Sequence, residues 1–342
     1  MIEVGLIGAG HWGPNIARSF ELTSNVAVSW ICELDEDRLA RIGEKYPQAK
    51  TTRDATEVLR DPAVSGVAIS TPVSAHFELT RKALEAGKHV LVEKPITASS
   101  RQARELIRLA EERQRILMVG HVFEYNASLV ALKDLIDSGE LGEIQYLSFV
   151  RTNLGPVRTD VNALWDLASH DVSIMVYLLG GPPADVTARG QAYLNPGIED
   201  AVFATFAFAG GILAHVNVSW LHPTKVRQIT VVGDQKMAVW DDLELQRPIR
   251  IYEGHVAEPE ELTDTFLDYK TKVVGGGVYI PNVRLNQPLQ AECEHFVDCV
   301  EHGRRPRSDG NSGLQVVLAL EAASDSMQSG SAVTPIARVA GR

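Results

Sequence analysis

Asp166 and His170 stand four residues apart in Trp165-Asp166-Leu167-Ala168-Ser169-His170-Asp171, a stretch that reads as the opening of a helix. At that spacing both side chains share one helical face. A carboxylate beside an imidazole raises its proton affinity and fixes its orientation, which suits His170 to general acid/base work on a hydroxyl. The same pair is also an ordinary helix-surface contact, or half a metal site, although no third metal ligand is evident in the sequence. A second chemical group changes the balance. Lys94, within Glu93-Lys94-Pro95, supplies an ammonium that can donate to a reacting oxygen and favour its alkoxide. Together they suit catalysis at a carbinol, with Lys94, Asp166 and His170 as the catalytic candidates and metal ligands as none.

The elements that must position these groups begin with the first turn. Ile2 to Ile7 is a short apolar run that reads as a buried strand, followed by Gly8-Ala9-Gly10-His11-Trp12-Gly13 and a helix from Pro14 to Leu22. Strand, G-x-G-x-x-G turn and helix form the dinucleotide-binding fingerprint. Gly8 allows the sharp turn, Gly10 the approach of a pyrophosphate and Gly13 close helix–strand packing, with the helix N-terminus facing the phosphates. The next strand, Val26 to Cys32, ends at Glu33, 20 residues beyond Gly13, where a carboxylate takes the adenosine ribose hydroxyls. It repels a 2′-phosphate, and Leu34 follows in place of a basic residue, so NAD(H) is expected over NADP(H). Asp35 is expected to cap the following helix.

Further apolar strands, Val64 to Ile69, His89 to Val92 and Ile116 to Val119, alternate with helices at about Ser74–Ala86 and Ser99–Gln114. This alternation predicts a doubly wound parallel sheet, an α/β Rossmann domain. Ligands lie beyond the carboxyl ends of such strands. Besides Gly8, Gly10, Gly13 and Glu33, the cofactor-binding candidates are therefore His11, Trp12, Ser70, Thr71, Pro72, His76, Glu93 and Lys94. His121, which follows the last strand, lines the pocket or is a satisfied structural histidine. It is a substrate-binding candidate together with Tyr125, Asn126, Arg158 and Asn162, chosen on position alone.

The fingerprint turn, Glu93-Lys94-Pro95, Gly120-His121 and Asp166-x-x-x-His170, in this order, resemble the glucose–fructose oxidoreductase/inositol dehydrogenase/MocA (Gfo/Idh/MocA) family over essentially the whole chain. The resemblance implies an NAD-binding Rossmann domain, here 1–122, and an α+β substrate and oligomerisation domain with a large open, mostly antiparallel sheet, here 123–342. It implies NAD(P)-dependent oxidation or reduction of sugars, nucleotide sugars or cyclitols, with the lysine of the triplet and the Asp/His pair as catalytic residues. The stretch from Asn153 to Asp171 is similar to members from surface-polysaccharide and amino-sugar pathways, which favours a nucleotide-activated hexose or N-acetylhexosamine, with C3 as the carbon. A free sugar or cyclitol is the alternative substrate. A non-enzymatic NAD-binding regulator is the alternative class, and Lys94, Asp166 and His170 argue against it.

Beyond residue 122 the pattern predicts a helix at Asn126–Ser138, a strand at Ile144–Val150 and a loop at Arg151–Asn162. A helix follows at Asn162–Leu178, then β-rich stretches to Tyr252, a mobile glycine-rich loop at Thr271–Gly277, and helices at Leu289–Glu301 and Gly313–Met327. Around a Gly210-Gly211 hairpin turn, Phe206 and Phe208 are expected on one face and Phe203, Val216 and Val218 on the other. Two apolar faces predict a homodimer or homotetramer packed through this sheet. The net charge of −11 argues against nucleic acid or an anionic membrane as partner. Three cysteines without ligand spacing, a first strand starting at residue 2 and no long apolar run lead to the expectation of a cytoplasmic protein.

Overall fold

The computed structural model describes residues 1–256 and 273–339. It falls into two compact units, Met1–Asn126 with Asn286–Glu321 and Val339–Arg342, and Ala127–Leu285 with Ala322–Arg338. A division at residue 122 leaves out this return of the chain to the first unit. No helix among the described residues is long and apolar enough to cross a membrane.

The first unit alternates strands and helices: β1 (Ile2–Ile7), α1 (Gly13–Glu21), β2 (Val26–Cys32), α2 (Glu36–Lys45), β3 (Lys50–Thr52), α3 (Ala55–Arg60), β4 (Val64–Ile69), α4 (Val73–Glu85), β5 (His89–Glu93), α5 (Ser100–Glu112) and β6 (Leu117–Gly120). All pairings are parallel, in the order β3-β2-β1-β4-β5-β6. The order reverses between β1 and β4, the place where doubly wound sheets open a crevice beyond their strand ends. Local signals set the helix ends. Asp35 accepts the Arg38 N–H and caps α2, Ser99 accepts the Gln102 N–H and caps α5, and Gly87 closes α4 at φ +75°.

The second unit runs through α6 (Ala127–Asp137), β7 (Ile144–Leu154), a π-turn at Leu164–Ala168, α7 (Ser169–Leu179), β8 (Asp185–Gln191), β9 (Ala201–Ala207), β10 (Leu213–Ser219), β11 (Leu221–Gly233), β12 (Met237–Asp241), β13 (Ile249–Tyr252), β14 (His255–Val256), β15 (Val273–Val274) and β16 (Val278–Tyr279). Helices α8 (Pro288–His302) and α9 (Gly310–Gln328) follow, and β17 (Thr334–Pro335) returns to the sheet of the second unit. That sheet has nine strands, ordered β16-β13-β12-β11-β7-β10-β9-β8-β17, and is antiparallel except between β7 and β10. It is the large open sheet expected. In the first unit, α8 lays Phe296 against Phe20 of α1 and over Gly66 of β4, where a Cβ would stand 3.1 Å from the ring.

Several local expectations are corrected. β3 and α3 were not foreseen, and β7 continues to Leu154, into the expected loop. Of the loop expected at Thr271–Gly277, residues 271 and 272 lie outside the described residues, and Val273–Val274 pairs with His255–Val256. Gly210 and Gly211 both have positive φ, as the hairpin requires. Val216 and Val218, however, pair with Ala204 and Val202 and are buried on the side of Phe206, so Phe203 alone of that expected set faces outward. The cause is register: antiparallel partners share a face, and Phe203 lies opposite Asn217.

Candidate active site

The carboxyl ends of β1, β2, β4, β5 and β6 bring together most residues singled out for the cofactor. At the β1–α1 turn Gly8 adopts φ +96°, and a Cβ there would meet the Ser70 carbonyl oxygen at 2.7 Å. A Cβ on Gly13 would stand 2.2 Å from the Gly8 carbonyl oxygen, so only glycine lets α1 start this close to β1. Gly10 differs. Among the described residues, its missing Cβ would have one neighbour within 4 Å, the end of the Arg38 guanidinium at 3.7 Å. The protein leaves that face of the turn open while packing the other two tightly, which is the shape a pyrophosphate needs. No side chain caps the first turn of α1, which begins at this place.

Glu33 is tied to the same turn. Its Oε2 accepts the Ala9 N–H at 2.7 Å and its Oε1 the Asp35 N–H at 3.1 Å. Gly8 N–H donates to the Cys32 carbonyl and the Ser70 hydroxyl to the Gly8 carbonyl, at 2.8 and 2.7 Å. Leu34 is exposed beside them. Turn, acidic strand end and open glycine fit a dinucleotide. His11 and Trp12 are exposed at the rim, their rings stacked with centroids 6.5 Å apart.

His76 is placed differently from a direct ligand contact. It is buried, with Nε2 at 2.8 Å from the Thr71 carbonyl oxygen and Nδ1 at 2.8 Å from that of Pro95. It spans the turn after β4, Ser70-Thr71-Pro72, and the turn after β5 that carries Lys94. Burial holds its proton affinity below the ordinary value.

Around Lys94, itself half-buried, Glu93 and His121 gather at the ends of β5 and β6. Glu93 Oε2 accepts the Lys94 backbone N–H at 3.2 Å and lies against Gly120. Burial raises this carboxyl to about 7, against the opposing pull of Lys94 and a hydrogen bond from Trp12. His121 is buried with no hydrogen-bond partner on either ring nitrogen among the described residues. Burial, and then the Lys94 charge, push it down to about 3, so its imidazole is neutral. It is not the satisfied structural histidine that sequence allows. Tyr125 is a packing residue: its ring is buried and its hydroxyl is 2.9 Å from Ser308 Oγ. Asn126 ends the short 3-10 turn Val122–Tyr125.

The remaining candidates belong to the second unit. Asn162 Oδ1 accepts the Trp165 N–H at 3.1 Å and its amide donates to Glu199 Oε2 at 2.7 Å, so its side chain caps the π-turn. Asp166 lies within this turn, where the i, i+4 spacing of an α-helix does not hold, and it meets groups the sequence did not indicate. Its Oδ2 accepts the Trp220 indole N–H at 3.1 Å and its Oδ1 faces Arg158 Nη1 at 3.3 Å. Arg158 also grips Asp160 with two hydrogen bonds. His170 occupies the first turn of α7, half-buried. Next to it Asp171 forms a buried ion pair with Arg151 of β7 at 2.8 Å, pinning α7 to the sheet. Trp220 and the Arg151–Asp171 pair were missed, because nothing local in a sequence ties β7, β10 and a helix start together.

His295, Asp298 and Cys299 on α8 have ligand atoms within 4.8 Å of one another. The chain satisfies them itself: His295 Nε2 accepts the Arg307 N–H at 3.0 Å, Asp298 pairs with Arg304 at 3.1 Å, and burial pushes the Cys299 thiol up to about 11.

Residues 2–121 match the GFO_IDH_MocA model, described as an oxidoreductase family with an NAD-binding Rossmann fold, and residues 129–239 match the GFO/IDH/MocA C-terminal domain. The chain is similar to the UDP-N-acetylglucosamine 3-dehydrogenase of Acidithiobacillus ferrooxidans, at 26% identity over 93% of this chain and 95% of that protein. It is also similar to the scyllo-inositol 2-dehydrogenase (NAD(+)) of Bacillus subtilis, at 26% identity over 93% and 92% of the two chains. Among solved structures it is similar to GenD2 from gentamicin A biosynthesis in complex with NAD, at 25% identity and a TM-score of 0.82, over 98% and 97% of the two chains.

Proposed function

The chain belongs to the Gfo/Idh/MocA family of NAD-dependent oxidoreductases, and we propose that it oxidises or reduces a ring carbinol of a nucleotide-activated hexose or N-acetylhexosamine, at C3. The observation that carries the reading is the convergence at the parallel strand ends: an open Gly10, Glu33 fastened to the turn, and Lys94 beside a buried, neutral His121. The resemblance to a UDP-N-acetylglucosamine 3-dehydrogenase supports the substrate class. Equal identity to a scyllo-inositol dehydrogenase favours a cyclitol as the second reading.

NAD, when bound, accepts or supplies the hydride. The turn from Gly8 to Gly13 would hold its pyrophosphate and Glu33 its adenosine ribose. Ser70, Thr71 and Pro72 border the same strand ends. Lys94 donates to the substrate oxygen and favours its alkoxide. His170 takes or returns the hydroxyl proton, and Asp166 orients and charges it. His121, Asn126, Arg158 and Asn162 are proposed substrate contacts, direct or through their neighbours.

A panel of UDP-N-acetylglucosamine, other nucleotide sugars, free sugars and inositols with NAD+ and NADP+, followed by NADH absorbance, tests the substrate. On the substrate so found, Lys94→Ala and His170→Ala should each lose turnover by roughly 10²–10⁴-fold with NADH affinity little changed. Turnover by both variants within a few-fold of the parent removes these residues from the chemistry.

A further inference from the structure

We infer that Trp220 is the positioning residue of Asp166. The inference rests on the reading of Asp166 as part of the proton-handling pair and names what fixes that carboxylate.

Asp166 has a different neighbour at each oxygen. Arg158, at 3.3 Å from Oδ1, has a side chain 42% exposed and shares its guanidinium with Asp160. An exposed pair of this kind holds geometry weakly, and an arriving anionic or hydroxylated ligand can take the guanidinium away. Trp220, at 3.1 Å from Oδ2, is fully buried. Its backbone is anchored on both sides: its N–H donates to the Asp200 carbonyl at 3.0 Å, and its carbonyl accepts the Gly155 N–H at 3.0 Å. Asp200 is itself buried, with Oδ2 accepting the Tyr193 and Leu194 N–H groups. The indole N–H is therefore a fixed donor. It is donor-only, so it neither competes for the substrate proton nor changes charge.

The π-turn gives this contact its purpose. A wider turn leaves Asp166 free of the strict helical spacing, and such turns recur at functional sites. A carboxylate on a widened turn needs an outside anchor to keep one rotamer, and Trp220 supplies it from the β10–β11 junction. Arg158 then remains available to respond to ligand.

The contact is testable without substrate. The protein has five tryptophans, and in ¹⁵N-labelled protein each gives one indole N–H resonance. Trp220→Phe removes one and assigns it. Asp166→Asn should displace that resonance; a resonance that holds its position overturns the inference. If Trp220→Phe folds poorly, Trp165→Phe takes out the indole beside Asp166, and Asp166→Asn in that background must still displace one of the remaining resonances. In the second arm, turnover is measured on UDP-N-acetylglucosamine or myo-inositol, whichever the parent accepts. Trp220→Phe should lower kcat by roughly 10–100-fold, as loss of an orienting partner does elsewhere, with NADH affinity unchanged. The double variant with Asp166→Asn should lose no more than Asp166→Asn alone. Parental kcat in Trp220→Phe beside a depressed Asp166→Asn sinks the inference and leaves the reading of Asp166 standing. Parental kcat in Asp166→Asn sinks both.

Discussion

Glu33, the proposed ribose ligand, also serves the turn. With Oε2 on the Ala9 N–H and Oε1 on the Asp35 N–H, its carboxylate holds the glycine turn against the end of β2. Glu33→Ser with Leu34→Arg should shift preference towards NADP(H), because it removes the charge that repels a 2′-phosphate and adds one that attracts it. The same change deprives Ala9 of its acceptor, so affinity for NADH should fall by more than affinity for NADPH rises. Fluorescence titration of both cofactors checks this; a parent that binds NADPH more tightly than NADH contradicts the assignment. His121 makes the opposite case, a side chain with no hydrogen-bond partner among the described residues. A buried donor or acceptor without a partner costs about 1–3 kcal/mol, so His121→Leu should leave thermal stability unchanged or raised while turnover falls. Its pH dependence has a definite sign. The folded imidazole sits at about 3 against an ordinary 6.5, so between those values the unfolded chain binds the extra proton. Stability from this group is full above pH 6.5 and is lost as pH falls towards 3. Denaturant unfolding of His121→Leu from pH 7 to 4 should show a shallower loss than the parent, and an equal slope would contradict a neutral buried imidazole.

The turn between β1 and α1 separates two meanings of glycine. Gly13→Ala drives a methyl group to 2.2 Å from the Gly8 carbonyl oxygen, so the helix start must move and both stability and NADH binding should be lost. Gly10→Ala meets only the flexible end of Arg38 at 3.7 Å, so its melting temperature should match the parent while NADH affinity drops by an order of magnitude or more, about 1.4 kcal/mol. Equal NADH binding by Gly10→Ala and parent would show that the pyrophosphate does not approach there. At the π-turn and α7, Asp171→Ala removes the carboxylate that pairs with the buried Arg151, which should cost about 3–5 kcal/mol in denaturant unfolding. The sequence made these elements legible to different degrees, for physical reasons. The strands of the parallel sheet are continuous apolar runs and their helices carry caps, so β1, β2, β4, β5 and β6 were readable within a residue or two. β3 is three polar-leaning residues, Lys50 to Thr52, and α3 is only six long, too short for any period to show. β7 was cut at Val150 because Arg151 reads as a loop residue until its buried partner Asp171 is known. The Asp166/His170 spacing drew attention to this turn, but the π geometry, Trp220 and the return of α8 onto Gly66 are long-range facts with no local signal.

At the scale of the molecule, the sheet of the second unit has one face covered by its own helices and one that no helix covers among the described residues. On the covered side, Ser128 of α6 accepts the Trp240 indole N–H at 2.7 Å and Arg151 reaches α7, while Phe206, Val216, Val218 and Trp240 are buried. On the other side Tyr146, Phe203 and Leu213 are 46%, 51% and 47% exposed, although the central strands of a sheet are where such residues are usually covered. Tyr146 pairs directly with Leu213, and Phe203 lies on the same face one strand further on, so the three form part of one surface. Soluble monomers rarely leave a contiguous apolar patch beyond a few hundred Å². A sheet face of nine strands is broad enough for the roughly 800 Å² per partner of a standard interface. The expected homodimer or homotetramer would put a second copy of the chain here, since a two-fold axis would let Phe203 and Leu213 of each protomer cover those of the other. The net charge of −11 sets a limit on this: protomers repel at long range, so association should strengthen as salt screens that charge, the reverse of an ion-pair interface. Light scattering at micromolar concentration should give the mass of a dimer or tetramer. Phe203→Glu with Leu213→Glu should lower it towards the monomer while NADH affinity stays at the parental value, since neither residue belongs to the glycine turn or its neighbours. A parent that is monomeric at micromolar concentration, or a double variant that keeps the parental mass, would show that this face is not where copies of the chain meet.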